Sequence, residues 1–125
     1  MLVSNQIQTR QTDRKMNLNR SLRVSSQKNT NPRVEKLLAE LSPETAWGKR
    51  QAAAKKLGYL RDPDAVPELL DALMRDDFWM VRCELIQALQ MIGDVRAITI
   101  LRRVQVQDSY QTVRSYAAKA IERLT

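Results

Sequence analysis

The apolar residues of this chain recur in the same order at an interval of 32 positions. Within each unit they follow the i, i+3, i+4, i+7 spacing of an amphipathic helix, as in the run Val34, Leu37, Leu38 and Leu41. The equivalent positions are Val34, Val66 and Ile98; Leu37, Leu69 and Leu101; Ala53, Leu85 and Ala117; Leu57, Leu89 and Ile121; and Leu60, Ile92 and Leu124. Three such units fill residues 30–61, 62–93 and 94–125. A repeat of this length predicts an all-α solenoid.

Each unit is predicted to contain two antiparallel helices. The first helix would begin after Thr30, Asp62 or Asp94, since the side-chain oxygens of these residues can accept from the free N–H groups of a helix start. It would run to about Leu41, Met74 or Val104. In the third unit Arg102 and Gln105 interrupt the apolar stripe, which predicts a more exposed outer helix there.

A short turn separates each first helix from the second. Thr45, Asp77 and Ser109 occupy equivalent positions in this turn and are candidates to cap the second helix. Gly93 follows the second helix of the middle unit, where a residue with positive φ is often needed. The pattern therefore predicts six helices in three hairpins.

Residues 1–29 do not share this pattern. They are polar, contain no aromatic residue and carry six basic residues against Asp13 alone, whereas residues 30–125 have a net charge of only +2. Such a composition predicts a disordered basic tail. A solvated arm is the favoured interpretation, and weak, salt-dependent binding of nucleic acid through this tail is the alternative. An arginine-rich and serine-containing start also resembles an organelle transit peptide.

Composition removes several classes of function. There is no histidine, no glycine-rich phosphate loop and a single cysteine, Cys83, so the usual general base, most zinc sites and an intrachain disulfide are excluded. We therefore expect no enzymatic activity, cofactor or metal. No apolar run reaches the roughly 18 residues that span a bilayer. The expected location is the cytoplasm, or an organelle stroma if residues 1–29 are a transit peptide.

The repeat resembles a known family. The pattern Val81-Arg82…Leu89…Ile92-Gly93-Asp94…Ala97-Ile98…Leu101, with an aspartate in the turn before the arginine, is similar to the HEAT-like repeat of the phycobilin lyase type. The resemblance covers residues 30–125. It implies a right-handed α-α superhelix in which the second helices line the concave side. Most members of the broad family are protein-interaction scaffolds, and a subset acts with partners in attaching or removing bilin chromophores on light-harvesting proteins.

The resemblance also implies a role for three arginines at equivalent positions. In the family this arginine pairs with the turn aspartate of the next unit, which orders the stack. The residues that match are Arg50, Arg82 and Arg114, with Asp76 and Asp108 in the turns and Glu44 at that position in the first unit. A structural role is favoured over ligand binding. Cys83 follows Arg82, which would lower its pKa modestly, although inert packing is the favoured role for this cysteine.

A binding surface is predicted on the outward side of the second helices, where aromatic, methionine and charged side chains are mixed. An ordinary solvated face is an equal alternative. The candidates are Trp47, Lys56, Tyr59, Trp79, Met80, Glu84, Gln87, Tyr116 and Lys119. The two tryptophans are expected either as a stacked pair of indoles that anchors a partner or as plugs between units.

The favoured function is a non-enzymatic scaffold that binds a partner protein on its concave face. An accessory subunit of a bilin lyase or phycobilisome-related complex is the alternative within the resemblance. Nucleic-acid binding through residues 1–29 is a second alternative of a different class.

Overall fold

The computed structural model describes residues 31–125, so the predicted tail and the cap at Thr30 lie outside the described residues. These 95 positions form three helical hairpins, and no β-strand occurs among them. The helices are α1 (Pro32–Ala39), α2 (Trp47–Leu60), α3 (Val66–Arg75), α4 (Trp79–Ile92), α5 (Ile98–Gln107) and α6 (Gln111–Leu124). The predicted all-α architecture of HEAT-like hairpins is confirmed.

The first helices start much as predicted. Asp62 and Asp94 accept from the backbone N–H groups of Asp64 and Arg96 at 2.9 and 2.8 Å. Each of these aspartates caps a 3-10 turn, Pro63–Ala65 or Val95–Ala97, that leads into α3 or α5. In the first hairpin, Asn31 fills the same role by accepting from the N–H of Arg33 at 2.8 Å.

The ends of the first helices differ from the predicted positions. Helix α1 stops at Ala39 rather than Leu41, and α5 continues to Gln107 rather than Val104. Helices α3 and α5 both run to the residue directly before a turn aspartate, and the extended backbone of Asp76 and Asp108 (ψ 130° and 140°) ends them. The end of each helix is therefore fixed by the aspartate and not by the apolar stripe.

The predicted caps of the second helices are wrong. Helices α2, α4 and α6 begin after Ala46, Phe78 and Tyr110, and no side chain caps them at those positions. Instead, the Oδ1 atoms of Asp76 and Asp108 accept from the N–H groups of Phe78 and Tyr110 at 3.0 and 2.9 Å. The turn aspartate, and not its neighbour Asp77 or Ser109, holds the entry to the helix.

The core is built from the predicted apolar stripes. Helices α2, α4 and α6, which we call the inner helices, pack side by side, and the outer helices α1, α3 and α5 contact one another less. Val34, Leu69, Leu89 and Leu101 are at most 1% exposed. In α5 Arg102 and Gln105 are exposed, as the interrupted stripe predicts.

One glycine sets the distance between two inner helices. A Cβ atom added to Gly58 on α2 would lie 2.9 Å from the Cα of Ala88 on α4, which is closer than real Cβ atoms approach backbone. The helices can come this close only because position 58 lacks a side chain.

Two of the inner helices, α2 and α4, end in a left-handed residue. Gly93, predicted for this role, has φ 78° after α4. The equivalent residue after α2 is Arg61, with φ 55°. Residues other than glycine adopt this conformation at a cost.

Candidate protein-binding site

An arginine–aspartate pair connects the first two hairpins. Arg50 on α2 donates from Nε and Nη2 to the two carboxylate oxygens of Asp76 at 2.8 and 3.1 Å. Its Nη1 donates to the carbonyl oxygen of Thr45 at 2.6 Å. The side chains of Arg50 and Asp76 are 9% and 3% exposed, so both charges depend on this pairing.

The next pair has the same geometry. Arg82 on α4 donates from Nε and Nη2 to Asp108 at 2.8 and 3.0 Å, and its Nη1 donates to the carbonyl oxygen of Asp76 at 3.0 Å. The structure thus shows the contacts that the resemblance implies for these four residues. That the pairs order the stack stays a prediction, since it is a statement about stability.

Glu44 occupies the turn-aspartate position in the first hairpin, but its surroundings differ. Its carboxylate accepts from the Ser42 hydroxyl, and this hydrogen bond holds the pKa of Glu44 below its usual value. Both residues lie at the surface, and Glu44 has no arginine partner within residues 31–125.

Each tryptophan packs across a junction between hairpins. The ring of Trp47 lies 4.6 Å from that of Phe78, and Trp79 stacks on Tyr110 at 5.6 Å with an interplanar angle of 14°. The prediction of two indoles stacked on each other is therefore wrong. Each indole instead contacts the aromatic residue that precedes the next inner helix, in agreement with the alternative that they plug the gap between units.

The inner helices enclose a pocket of about 220 Å³, which we call the inner-helix pocket. Its walls are Gln51 from α2, Trp79, Met80, Cys83, Glu84 and Gln87 from α4, and Tyr116 from α6. Five of the nine predicted binding residues therefore meet in one place. The pocket combines two aromatic rings and a thioether with one carboxylate, and the amide of Gln51 lies 3.4 Å from that carboxylate of Glu84.

Cys83 faces this pocket but is not activated. Burial raises the pKa of its thiol to about 11, which outweighs the opposing effect of the Arg82 charge. The expectation that Arg82 lowers this pKa is wrong in its net effect. The thiol is neutral near pH 7 and acts as packing, as the favoured interpretation of Cys83 held.

The remaining predicted residues lie elsewhere. Lys56 and Tyr59 line a separate groove of about 460 Å³ between α1 and α2, together with Arg33, Lys36 and Glu40. Lys119 is exposed on α6 outside the inner-helix pocket, and Trp47 is also outside it.

The sequence interpretation misplaced Lys56 because of an error in register. A shift of 32 residues pairs Gln87 with Lys55 and Lys119, and pairs Lys56 with the buried Ala88. Lys56 therefore points about 100° around the helix from the side that Gln87 occupies.

Gln51 is the pocket residue that sequence reasoning missed. It lies one repeat, 32 residues, before Cys83, and the two residues directly follow the equivalent arginines Arg50 and Arg82. The repeat register was therefore a usable signal, because equivalent residues on successive inner helices face the same way.

Two further findings concern residues 31–125 alone. No three histidine, cysteine, aspartate or glutamate side chains come together there as a metal site. No helix there combines the length and apolar character needed to cross a bilayer.

Comparison with known proteins shows which proteins the chain is similar to. The chain is 44% identical over 69 residues to the bilin biosynthesis protein PecE of Mastigocladus laminosus, a match that covers 55% of the chain and 25% of that protein. It is 42% identical over 59 residues to PecE of Nostoc sp. strain PCC 7120, covering 47% of the chain and 23% of that protein. The matched part is thus about a quarter of these relatives' length.

These similarities confirm the resemblance to HEAT-like repeats of the phycobilin lyase type. The family model described as HEAT repeats matches residues 34–122, which include all six helices apart from their outermost residues. This chain belongs to the HEAT-repeat family.

Proposed function

We propose that the protein is a non-enzymatic HEAT-repeat scaffold that binds a partner protein at the inner-helix pocket. The observation that supports this most directly is the convergence of Trp79, Met80, Glu84, Gln87 and Tyr116 on one pocket. Aromatic residues and methionine are enriched where proteins bind one another.

The size of the pocket favours a protein partner over a bound small molecule. Small-molecule pockets usually have volumes of about 300–1,000 Å³, whereas this one has about 220 Å³. A volume of this size suits a single large side chain that projects from a partner surface. Such an anchor in a pocket is how a few residues come to dominate the affinity of an interface.

The charge of the pocket indicates what this anchor carries. Glu84 is the acid among the residues that line it, and the middle repeat, 62–93, has seven acidic and two basic residues. The rings of Trp79 and Tyr116 add faces on which a cation is favourable. The proposed anchor is therefore a basic side chain with an apolar stem, an arginine or a lysine.

The experiment is affinity capture from native lysate treated with nuclease, with wild-type protein and three variants. Met80→Ala and Gln87→Ala remove pocket contacts from a half-buried and an exposed position. Each should weaken a complex at this pocket by about 1–2 kcal/mol with the fold intact. Tyr59→Ala is the matched control, because Tyr59 is 64% exposed on an inner helix but lines the other groove.

We expect Met80→Ala and Gln87→Ala to capture less of the partner than the wild-type protein, and Tyr59→Ala to capture as much. If Tyr59→Ala reduces capture and the two pocket variants do not, the binding surface is the α1–α2 groove and not the inner-helix pocket.

A second candidate is an accessory role in bilin attachment or biosynthesis. The identity of 42–44% to two bilin biosynthesis proteins favours it, although each match covers only about a quarter of the relative. The test is gel filtration of the chain mixed with a bilin-carrying light-harvesting protein. Co-elution that Gln87→Ala weakens would support this role. Independent elution at concentrations of tens of micromolar would remove it and leave the scaffold proposal intact.

A further inference from the structure

The three inner helices differ in charge, although they are equivalent in the repeat. Helix α2 has four basic residues and no acidic residue, and α6 has three basic residues and one acidic residue. Helix α4 lies between them and carries only Arg82 and Glu84. Because Arg82 is paired with Asp108, Glu84 is the charge that α4 presents at the inner-helix pocket. The order of charge across this pocket is therefore positive, negative, positive.

One row of equivalent positions brings the positive charges to the two sides of the pocket. Lys55 on α2, Gln87 on α4 and Lys119 on α6 are 32 residues apart, and all three are exposed. Gln87 lines the pocket together with Glu84, so a lysine lies one helix away on each side. Within residues 31–125 neither lysine forms an ion pair. Both ammonium groups are thus available to an acidic group of a ligand.

The exposure of this row does not depend on where the described chain ends. Helix α4 packs against both α2 and α6, and Gln87 is nevertheless exposed. Lys55 and Lys119 occupy the equivalent positions on their helices. A repeat packed on either side of those helices would therefore leave the two lysines exposed as well.

The spacing of the row favours one conformation for a segment that follows it. Packed helices lie about 8–10 Å apart. In a polyproline II helix, residues three apart share a side and are separated by about 9 Å, whereas in a β-strand they point to opposite sides. Segments in the polyproline II conformation also dock on aromatic side chains, and Trp79 and Tyr116 line the pocket.

From these observations we propose that the inner-helix pocket recognises an extended segment in which a basic residue has an acidic residue three positions away on each side. The basic side chain enters the pocket at Glu84, and the two acidic side chains pair with Lys55 and Lys119. This inference rests on the proposed function and specifies the partner segment that the pocket selects.

The test is a titration of the full chain with the peptide N-acetyl-Glu-Pro-Pro-Arg-Pro-Pro-Glu-amide at low ionic strength, followed by the NMR signal of the Met80 methyl group. A second peptide, N-acetyl-Pro-Pro-Glu-Arg-Glu-Pro-Pro-amide, has the same composition and charge but the wrong spacing. A third has glutamine in place of both glutamates. We expect the first peptide to reach half-saturation at a concentration about fivefold lower than the other two, the size of effect that two weakly screened surface ion pairs produce.

Variants of the chain assign this preference to the two lysines. Lys55→Gln combined with Lys119→Gln should abolish the preference for the first peptide and leave the circular dichroism spectrum unchanged. The matched control is Lys36→Gln combined with Lys56→Gln, which removes the same charge from exposed residues of the α1–α2 groove and should keep the preference.

A fourth peptide, the first with glutamine in place of arginine, separates this inference from the proposed function. If the Met80 signal responds equally to all three arginine peptides and not to the fourth, the basic anchor stands and the inference is wrong. If the signal responds to none of the peptides, the anchor proposed for the pocket is wrong as well. A preference for the first peptide that persists in the Lys55→Gln and Lys119→Gln double variant would also overturn the inference, because the acidic residues would then bind elsewhere.

Discussion

The two junctions between hairpins use the same contacts but differ in how tightly they close. At the first, between α2 and α4, the rings of Trp47 and Phe78 are 4.6 Å apart and the side chains of Arg50 and Asp76 are 9% and 3% exposed. At the second, between α4 and α6, Trp79 and Tyr110 are 5.6 Å apart and Arg82 and Asp108 are 11% and 7% exposed.

A single position contributes to this difference. Gly58 lets α2 approach Ala88 on α4, whereas the equivalent residue on α4 is Gln90. The first pair of charges is better shielded from water. Removing one of its two residues therefore leaves the other charge buried without its partner, at a higher cost in free energy. A repeated contact therefore contributes a different free energy at each junction, because the packing around it differs.

The largest change in stability is expected on removal of the turn aspartates. Asp76→Ala leaves the buried Arg50 with only the exposed Asp77 carboxylate, 3.7 Å from its Nη2, and also removes the hydrogen bond to the N–H of Phe78. We therefore expect a loss of about 3–5 kcal/mol in the free energy of unfolding. Asp108→Ala should cost less, because that pair is more exposed. Urea unfolding followed by circular dichroism measures both. An equal or larger loss for Asp108→Ala would contradict the ranking of the junctions.

The next largest change in stability is expected at Gly58, where α2 approaches Ala88 on α4. Gly58→Ala places a Cβ against the Ala88 backbone and should destabilise the protein by about 1–3 kcal/mol through overpacking. Gly48→Ala is the matched control on the same helix, since a Cβ there meets nothing within 4 Å. It should gain up to about 1 kcal/mol from helix propensity. Thermal or urea melts in which both substitutions stabilise would show that α2 and α4 are not held at contact distance.

A smaller, stabilising effect is expected at the end of α2. Arg61→Gly relieves the left-handed backbone at φ 55° and should add about 0.5–1 kcal/mol to the free energy of unfolding. Gly93→Ala, at the equivalent place after α4, should have the opposite sign. If urea melts show that Arg61→Gly destabilises, then the arginine side chain contributes contacts that outweigh the strain.

The smallest effect concerns Cys83 on α4, the helix shared by both junctions. Its pKa of about 11 means that only about one thiol in a thousand is ionised at pH 8. Alkylation by iodoacetamide should therefore be slow at pH 8 and accelerate as the pH rises toward 11, provided that circular dichroism shows the fold intact. Rapid labelling at pH 8 would mean that the Arg82 charge, and not burial, controls this thiol.

Much of the fold was predictable because burial in a solenoid follows the repeat. Apart from the half-buried Ile98, the apolar positions at intervals of 32 proved to be core or packed against it, and Asp62 and Asp94 were recognisable as caps from residue type alone. The entry to the second helices was not predictable in this way. Asp76 and Asp77 are equally good caps as residues, and the partner that fixes Asp76, Arg50, lies 26 positions earlier in the chain.

The candidate site was predicted in part for a related reason. Residues one repeat apart share a side of the inner helices, so Glu84 and Tyr116 were grouped correctly. Tyr59 was not grouped correctly, because it lies in the groove between α1 and α2 and not in the inner-helix pocket. The packing of Trp79 on Tyr110 likewise depends on the distance between two helices, which the sequence does not state.

NMR cross-saturation of methionine methyl groups in the complex would show whether a partner protein occupies the inner-helix pocket, as we propose. Met80 lines this pocket, and Met74 is 51% exposed on the groove between outer helices α3 and α5. For this experiment the chain is deuterated except at its methionine methyl groups, and the partner is protonated. Irradiation of the partner should strongly attenuate the Met80 methyl signal and leave the Met74 methyl signal unchanged. Attenuation of Met74 with an unaffected Met80 would contradict the account and place the partner on the outer helices.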